Sequence, residues 1–237
     1  MAFECVSRTH VGLIRKVNED SLLVRTESGL WAVADGMGGH EAGDVASSRI
    51  VEALQQLPAA NGLDTLVQDA VAALQTVNQD LIVLAGEAEG QRSIGSTVVG
   101  LAIADGRFQC FWAGDSRAYR VRDDHIVQLT RDHSLVQDLV DAGMIGQDEA
   151  VDHPNSNIIT RAVGVASDLR VDTVSGDVRP GDQFLLASDG LTRMVDDREL
   201  VAELTSSATE AAADRLIDTV LSRGAPDNVT LVITKVV

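Results

Sequence analysis

Three times in this chain a short apolar run ends in a small residue and then an aspartate. The runs are Ala32-Val33-Ala34-Asp35-Gly36, Phe111-Trp112-Ala113-Gly114-Asp115 and Leu185-Leu186-Ala187-Ser188-Asp189-Gly190. Runs of this length and apolarity predict strands buried on both faces. Each therefore places a carboxylate where a core strand leaves the core. Asp227-Asn228, just before the apolar segment Val229–Val236, is the mirror case. An Asp-Gly pair alone is a frequent turn signal, and Asp105-Gly106, between two hairpin strands, is read only as that. The other sites differ because their strands are strongly apolar and Ala34, Gly114 and Ser188 leave room beside the acid.

The remaining pattern predicts strands at residues 4–10, 21–26 and 30–34, then helices at 42–57 and from 63 to about 85, where Asn61 can cap and Asp64 sits in the first turn. Strands at 97–104, 107–113, 117–121 and 125–129 read as one antiparallel meander. A short helix at 134–142 is ended by Gly143. Two more strands follow at 170–178 and 183–187. A helix at about 208–223 starts at Ser207, with Glu210 at capping-box spacing, and stops at Gly224; the strand at 229–236 follows. Residues 144–165 contain a polar, irregular stretch, expected to form a mobile flap. Strands in hairpin-linked runs with helices in separate blocks predict an α+β fold with antiparallel sheets. No linker or repeat divides the chain, so residues 1–237 are expected to form a single domain.

Composition narrows the function. A net charge of −17 disfavours nucleic acid and anionic membrane as partners. Cys5 and Cys110 show no ligand spacing and are expected to be reduced structural thiols. Residues 1–12 contain no signal-like apolar stretch, so the expected compartment is the cytoplasm.

Several carboxylates at the ends of core strands, without as many Lys or Arg beside them, repel one another unless a cation lies between them. An all-oxygen donor set suits Mg²⁺ or Mn²⁺ better than zinc, for which no Cys or His pair stands at ligand spacing. Arg15, before Asn18-Glu19-Asp20, is a common surface ion-pair pattern. Beside a metal site, its planar guanidinium suits bidentate capture of phosphate.

These segments occur in the order Arg15…Asn18-Glu19-Asp20, Asp35-Gly36-Met37-Gly38-Gly39-His40, Gly95-Ser96-Thr97, Gly114-Asp115-Ser116-Arg117, Ser188-Asp189-Gly190-Leu191 and Asp227-Asn228-Val229-Thr230. Together they resemble the metal-dependent protein serine/threonine phosphatases of the protein phosphatase 2C family, in its compact bacterial form. The resemblance runs from Arg8 to Thr230. It implies a four-layer α-β-β-α sandwich, two central antiparallel sheets flanked by helices, with a cleft at one end. It further implies two Mn²⁺ or Mg²⁺ ions. Asp35 would bridge them, the Gly36 carbonyl would bind one, and Asp20, Asp189 and Asp227 would complete the pair. Glu19 would stand just outside, Asp115 would bind a third, weaker ion, and Arg15 would hold the phosphate.

The chemistry implied is hydrolysis of phosphoserine and phosphothreonine on proteins by direct attack of a metal-bridging water, without a phosphoenzyme. Ser96, Ser116 and Ser188 are then not nucleophiles. A cognate Ser/Thr kinase is the implied partner, secretion-system control is one setting, and the chain is expected to be a monomer. Met37 stands where eukaryotic relatives carry a histidine, so the proton donor is open: His40 and a water on the third ion are both candidates. His10 stands where bacterial relatives often have Asp and is read, with His133 and His153, as structural. Two other readings remain: a catalytically dead regulatory domain on the same fold, and a phosphohydrolase of small metabolites.

Overall fold

Strand-forming runs of Val, Leu, Ile and Ala pair into two antiparallel sheets in the computed structural model, which describes residues 2–38, 42–87, 94–151, 153–206 and 208–237. The strands are β1 (Phe3–His10), β2 (Asp20–Arg25), β3 (Leu30–Gly38), β4 (Ile94–Ser96), β5 (Val98–Ala104), β6 (Arg107–Ala113), β7 (Arg117–Arg122), β8 (His125–Gln128), β9 (Asp172–Asp177), β10 (Gln183–Ala187) and β11 (Val229–Val236). The helices are α1 (Ala42–Gln55), α2 (Leu63–Glu87), α3 (Leu135–Asp141), α4 (Gln147–Val151), α5 (Asp189–Thr192), α6 (Asp197–Ser206) and α7 (Thr209–Ser222). One sheet has the order β1-β11-β10-β7-β8. The other runs β2-β3-β5-β6-β9, with β4 paired to β3.

The period-2 alternation of the strands decides what each layer touches. Trp31 and Val33 of β3 face the other sheet, with Val99, Leu101, Phe108 and Trp112 on one side and Phe184, Leu186, Val232 and Val236 on the other. Leu30, Ala32 and Ala34 point the opposite way, onto Ala46, Ile50 and Leu54 of α1 and Leu66, Leu74 and Leu81 of α2. Leu185, Ala187, Leu231 and Ile233 pack against Leu200 and Leu204 of α6 and Leu216 and Val220 of α7. Three apolar seams thus separate four layers, as expected. Each buried Leu or Phe contributes roughly 1.5–3 kcal/mol.

Several expectations are corrected. The four strands expected as one meander are two hairpins in different sheets: β5 pairs β6, and β7 pairs β8. The chain changes sheet between Ala113 and Arg117. Gly114 makes this possible, with φ +123 and a Cβ position that would fall 2.5 Å from Thr97 Cβ. Asp105 (φ 53) with Gly106 (φ 72), and Asp123 with Asp124, do form tight left-handed hairpin turns. The position before α2 is Gly62, so Asn61 lies one residue too far out to cap it. The position before α7 is Ala208, which makes no side-chain cap; Ser207 lies outside the described residues. The reciprocal capping box sits instead at α6, where Glu199 N donates to Asp196 Oδ1 and Asp196 N donates to Glu199 Oε2. Cys5 and Cys110 are free thiols.

The 144–165 segment is not irregular throughout. It contains α4, and its far end is pinned by bridges Ser134↔Ile159 and Ser96↔Val163. Asn78, fully buried in α2, accepts from Gly164 N at 2.7 Å and donates to the Ala166 carbonyl at 2.8 Å. Asn78→Ala strands both backbone groups. It is expected to lower unfolding free energy by about 3 kcal/mol, read as a fall in Tm; an unchanged Tm would remove this anchor from the account.

Candidate metal centre

The β2–β3 hairpin sets two aspartates face to face. Asp20 pairs with Asp35 in the antiparallel register, and like charges directly opposite repel. Asp35 does not end its strand, since β3 continues to Gly38 by pairing with β4. Its backbone is held on both sides: Asp35 N donates to Thr97 Oγ1 at 3.1 Å, and its carbonyl accepts from Thr97 N and Ser96 Oγ, each at 2.9 Å. The glycine after it is needed for a close approach rather than for a turn. A Cβ on Gly36 would lie 2.1 Å from the Gly43 carbonyl, where α1 begins.

Ser188 brings in the third acid. Its hydroxyl donates to Asp20 Oδ2 at 2.9 Å and accepts from Thr230 N at 3.0 Å. Asp189 then opens α5, within hydrogen-bond reach of Asp35. Gly190 lets this turn press onto β11; a Cβ there would lie 1.8 Å from the Asn228 carbonyl. Asp227 pairs with Arg15 at 2.7 Å. Asn228, buried, laces the 11–19 loop to β11: it accepts from Glu19 N at 2.8 Å and donates to the carbonyls of Val11 and Val17. Glu19 Oε1 in turn accepts from Gly43 N at 3.2 Å. Asp115, 4% exposed, lies on the Gly114–Ser116 crossing between the sheets.

This concentration of acid is costly without a counter-charge. Burial first, and then neighbouring carboxylates, push Asp20 up to about 7 and Asp35 well above the usual carboxylate range. Burial and Asp189 push Asp115 up to about 7, although Arg193 works against the rise. Burial also raises Asp189, opposed by Arg193, and raises Glu19. Asp20 Oδ1 and Asp115 Oδ1 are buried without any hydrogen-bond partner. Orphaned carboxylate oxygens among mutually repelling acids fit a divalent, oxygen-seeking cation. Among the described residues no three His, Cys, Asp or Glu side chains are grouped tightly enough to hold an ion as placed.

The family model described as protein phosphatase 2C matches residues 15–224. The chain belongs to the protein phosphatase 2C family. The serine/threonine phosphatase stp of Listeria innocua is 37% identical to it over 239 residues, covering 96% of this chain and 94% of that protein. PppA, described as a key regulatory component of T6SS in Pseudomonas aeruginosa, matches with a TM-score of 0.91 at 43% identity, over 99% of this chain and 98% of that one. The catalytic domain of the phosphatase PstP, solved with 2 manganese ions, matches with a TM-score of 0.87 at 34% identity, over 99% and 98% of the two chains.

In this protein phosphatase 2C chain, two residues beyond those foreseen shape the centre. Asn228 fixes the loop that carries Arg15. Arg193 contacts both Asp189 and Asp115. Its signal was present in the sequence as an Asp189/Arg193 pair at i,i+4, visible once residues 189–192 are taken as a helical turn. The three suspect serines are occupied in backbone and hydroxyl hydrogen bonds. His10 accepts from Gly12 N. His133 stacks on Trp112 and accepts from Gly114 N, which steadies the residue before Asp115. His153 accepts from Asn155 N. His40 lies outside the described residues. Beside Asp115, Asp189 and Arg193 a cleft of ≈ 240 Å³ opens under the 144–165 segment, with Arg117, Ser134 and Gln147 in its walls.

Proposed function

We propose that this chain is a metal-dependent phosphatase that removes phosphate from phosphoserine and phosphothreonine on proteins. The observation that carries the reading is the convergence of Asp20, Asp35, Asp189 and Asp227 from four separate segments. Asp20 faces Asp35 across the β2–β3 hairpin, Ser188 ties Asp20 to the start of α5, and Asp227 pairs with the exposed Arg15, with Asp20 Oδ1 left unpaired. Two Mn²⁺ or Mg²⁺ ions held by these acids and the Gly36 carbonyl would supply Lewis-acid chemistry, activating water near neutral pH and neutralising phosphate oxygens. The chain's own part is positioning. Arg15, half-exposed at the rim, presents a guanidinium fork to the phosphate and releases Asp227 as it does so. Asn228 and Glu19 keep that loop against β11 and α1. The acidic surface discourages polyanionic partners, while Arg15 offers a phosphate group a cationic contact.

The intact acid set weighs against a dead regulatory domain, which would have lost one of them. The likeness to PppA supports a setting in secretion control, and a cognate Ser/Thr kinase is the partner such a phosphatase would oppose. Among the described residues no helix is long and apolar enough to cross a membrane. We assign the chain to the cytoplasm as a monomer, with residues 144–157 as a moving flap.

Hydrolysis of phosphothreonine and phosphoserine peptides is expected with added Mn²⁺ or Mg²⁺ and to vanish in EDTA. Activity that persists in EDTA sinks the reading. Equal or greater turnover of a small metabolite phosphate moves it to the metabolite hydrolase.

A further inference from the structure

We propose that Arg193 holds the place of a third cation in this site and, through the same guanidinium, fastens the 156–157 turn across the cleft. This rests on the reading of the site as a two-metal phosphatase centre. Arg193 meets four groups from three parts of the chain. Its Nε stands 2.8 Å from Asp189 Oδ2, and its Nη2 stands 3.3 Å from Asp115 Oδ2. Nη2 also donates to the Ser156 carbonyl at 3.3 Å, and Nη1 donates to Asn157 Oδ1.

Asp115 is the acid that the family resemblance gives to a weakly held outer ion, and Asp189 is its neighbour. A divalent ion placed between them would face a fixed positive charge at close range. The tethered group has the advantage. Arg193 follows Asp189 by one helical turn, so it is always present at high local concentration, whereas a weak ion must be drawn from solution. The two cations would also do different work. An ion completes its shell with water. A guanidinium has five directed donors, enough to hold two carboxylates and still reach two oxygens of the overlying turn. Asp115 Oδ1 is left unpaired, so loss of the guanidinium would open both oxygens of Asp115 and one of Asp189 to a cation.

The test counts Mn²⁺ bound per chain by calorimetry and equilibrium dialysis, and follows amide exchange at residues 153–158 in the metal-free protein. Wild type is expected to bind two ions, the number in the PstP complex. Arg193→Met is expected to bind three, and the double variant Asp115→Asn/Arg193→Met to return to two. Exchange at 153–158 is expected to rise about tenfold in Arg193→Met. Three ions on wild type, or equal counts in wild type and Arg193→Met, would overturn the proposal. If the methionine variant fails to fold, Arg193→Lys carries the test. It keeps the charge without the fork, so the count should stay at two while exchange rises, and unchanged exchange overturns the fastening role. No Mn²⁺ on wild type overturns the phosphatase reading itself, and this inference with it.

Discussion

Asp35→Asn or Asp189→Asn is expected to cut Mn²⁺-supported hydrolysis of a phosphothreonine peptide by about a thousandfold or more, equivalent to roughly 4 kcal/mol of transition-state stabilisation. Asparagine keeps the shape of aspartate and a carbonyl oxygen, so the backbone bonds that fix Asp35 to Thr97 and Ser96 are untouched. What is removed is one negative charge from a cluster whose acids are driven upward by burial and by one another. The same change should therefore leave the metal-free protein at least as stable as wild type, because a repulsion has gone. A variant with activity within about tenfold of wild type would detach that acid from the centre. A variant that loses both activity and Tm would show a structural role instead. The paired readout separates the two.

The second large effect concerns stability against pH. Asp20 and Asp115 hold their protons to about 7 in the folded chain, whereas an unfolded aspartate releases them at 3.8. Between these values the folded state binds more protons than the unfolded state, so stability falls as pH rises. For the metal-free chain the loss runs from about pH 4 to pH 7, worth roughly several kcal/mol in total. Divalent ions need the ionised carboxylates, so their stabilising effect grows over the same range. Metal-free protein is thus expected to melt higher at about pH 6 than at about pH 8, while saturating Mn²⁺ raises Tm more at about pH 8. A metal-free Tm that climbs from about pH 6 to about pH 8 would contradict the assignment. Asp20→Asn should flatten part of the slope.

Much of the fold was legible because its strands are short apolar runs between turn residues, and burial on both faces leaves few alternatives. What escaped was non-local. Nothing in residues 97–129 announces that the chain changes sheets at Gly114, since a turn and a crossing use the same small residues. The constraint on Gly36 is non-local in the same way, since it comes from Gly43 on α1. α6 was missed although Asp196 and Glu199 have the spacing of a capping box, because its exposed face is polar and its buried contribution is only Leu200 and Leu204. For the site, the acids were visible as strand-end punctuation, and the metal roles given to them rest on the family resemblance. Arg193 was not, because an arginine four residues after an acid looks like any surface pair until Asp115 arrives from elsewhere.

The position of β11 between β1 and β10 has a consequence in time. Arg15 and Asp227 are 212 residues apart, and among the described residues β11 is the one strand beside β1 in its sheet. While the chain is being made, the loop that carries Arg15 can be tied to α1 through Glu19, but its contacts with Asn228 wait for that residue to emerge. Closure over so long a separation is slow compared with hairpin formation. A nascent chain can fold its β2–β3 hairpin and α1 early and still lack the contacts that hold the Arg15 loop to Asn228. The loop's last anchor therefore depends on a contact that spans most of the sequence between β1 and β11.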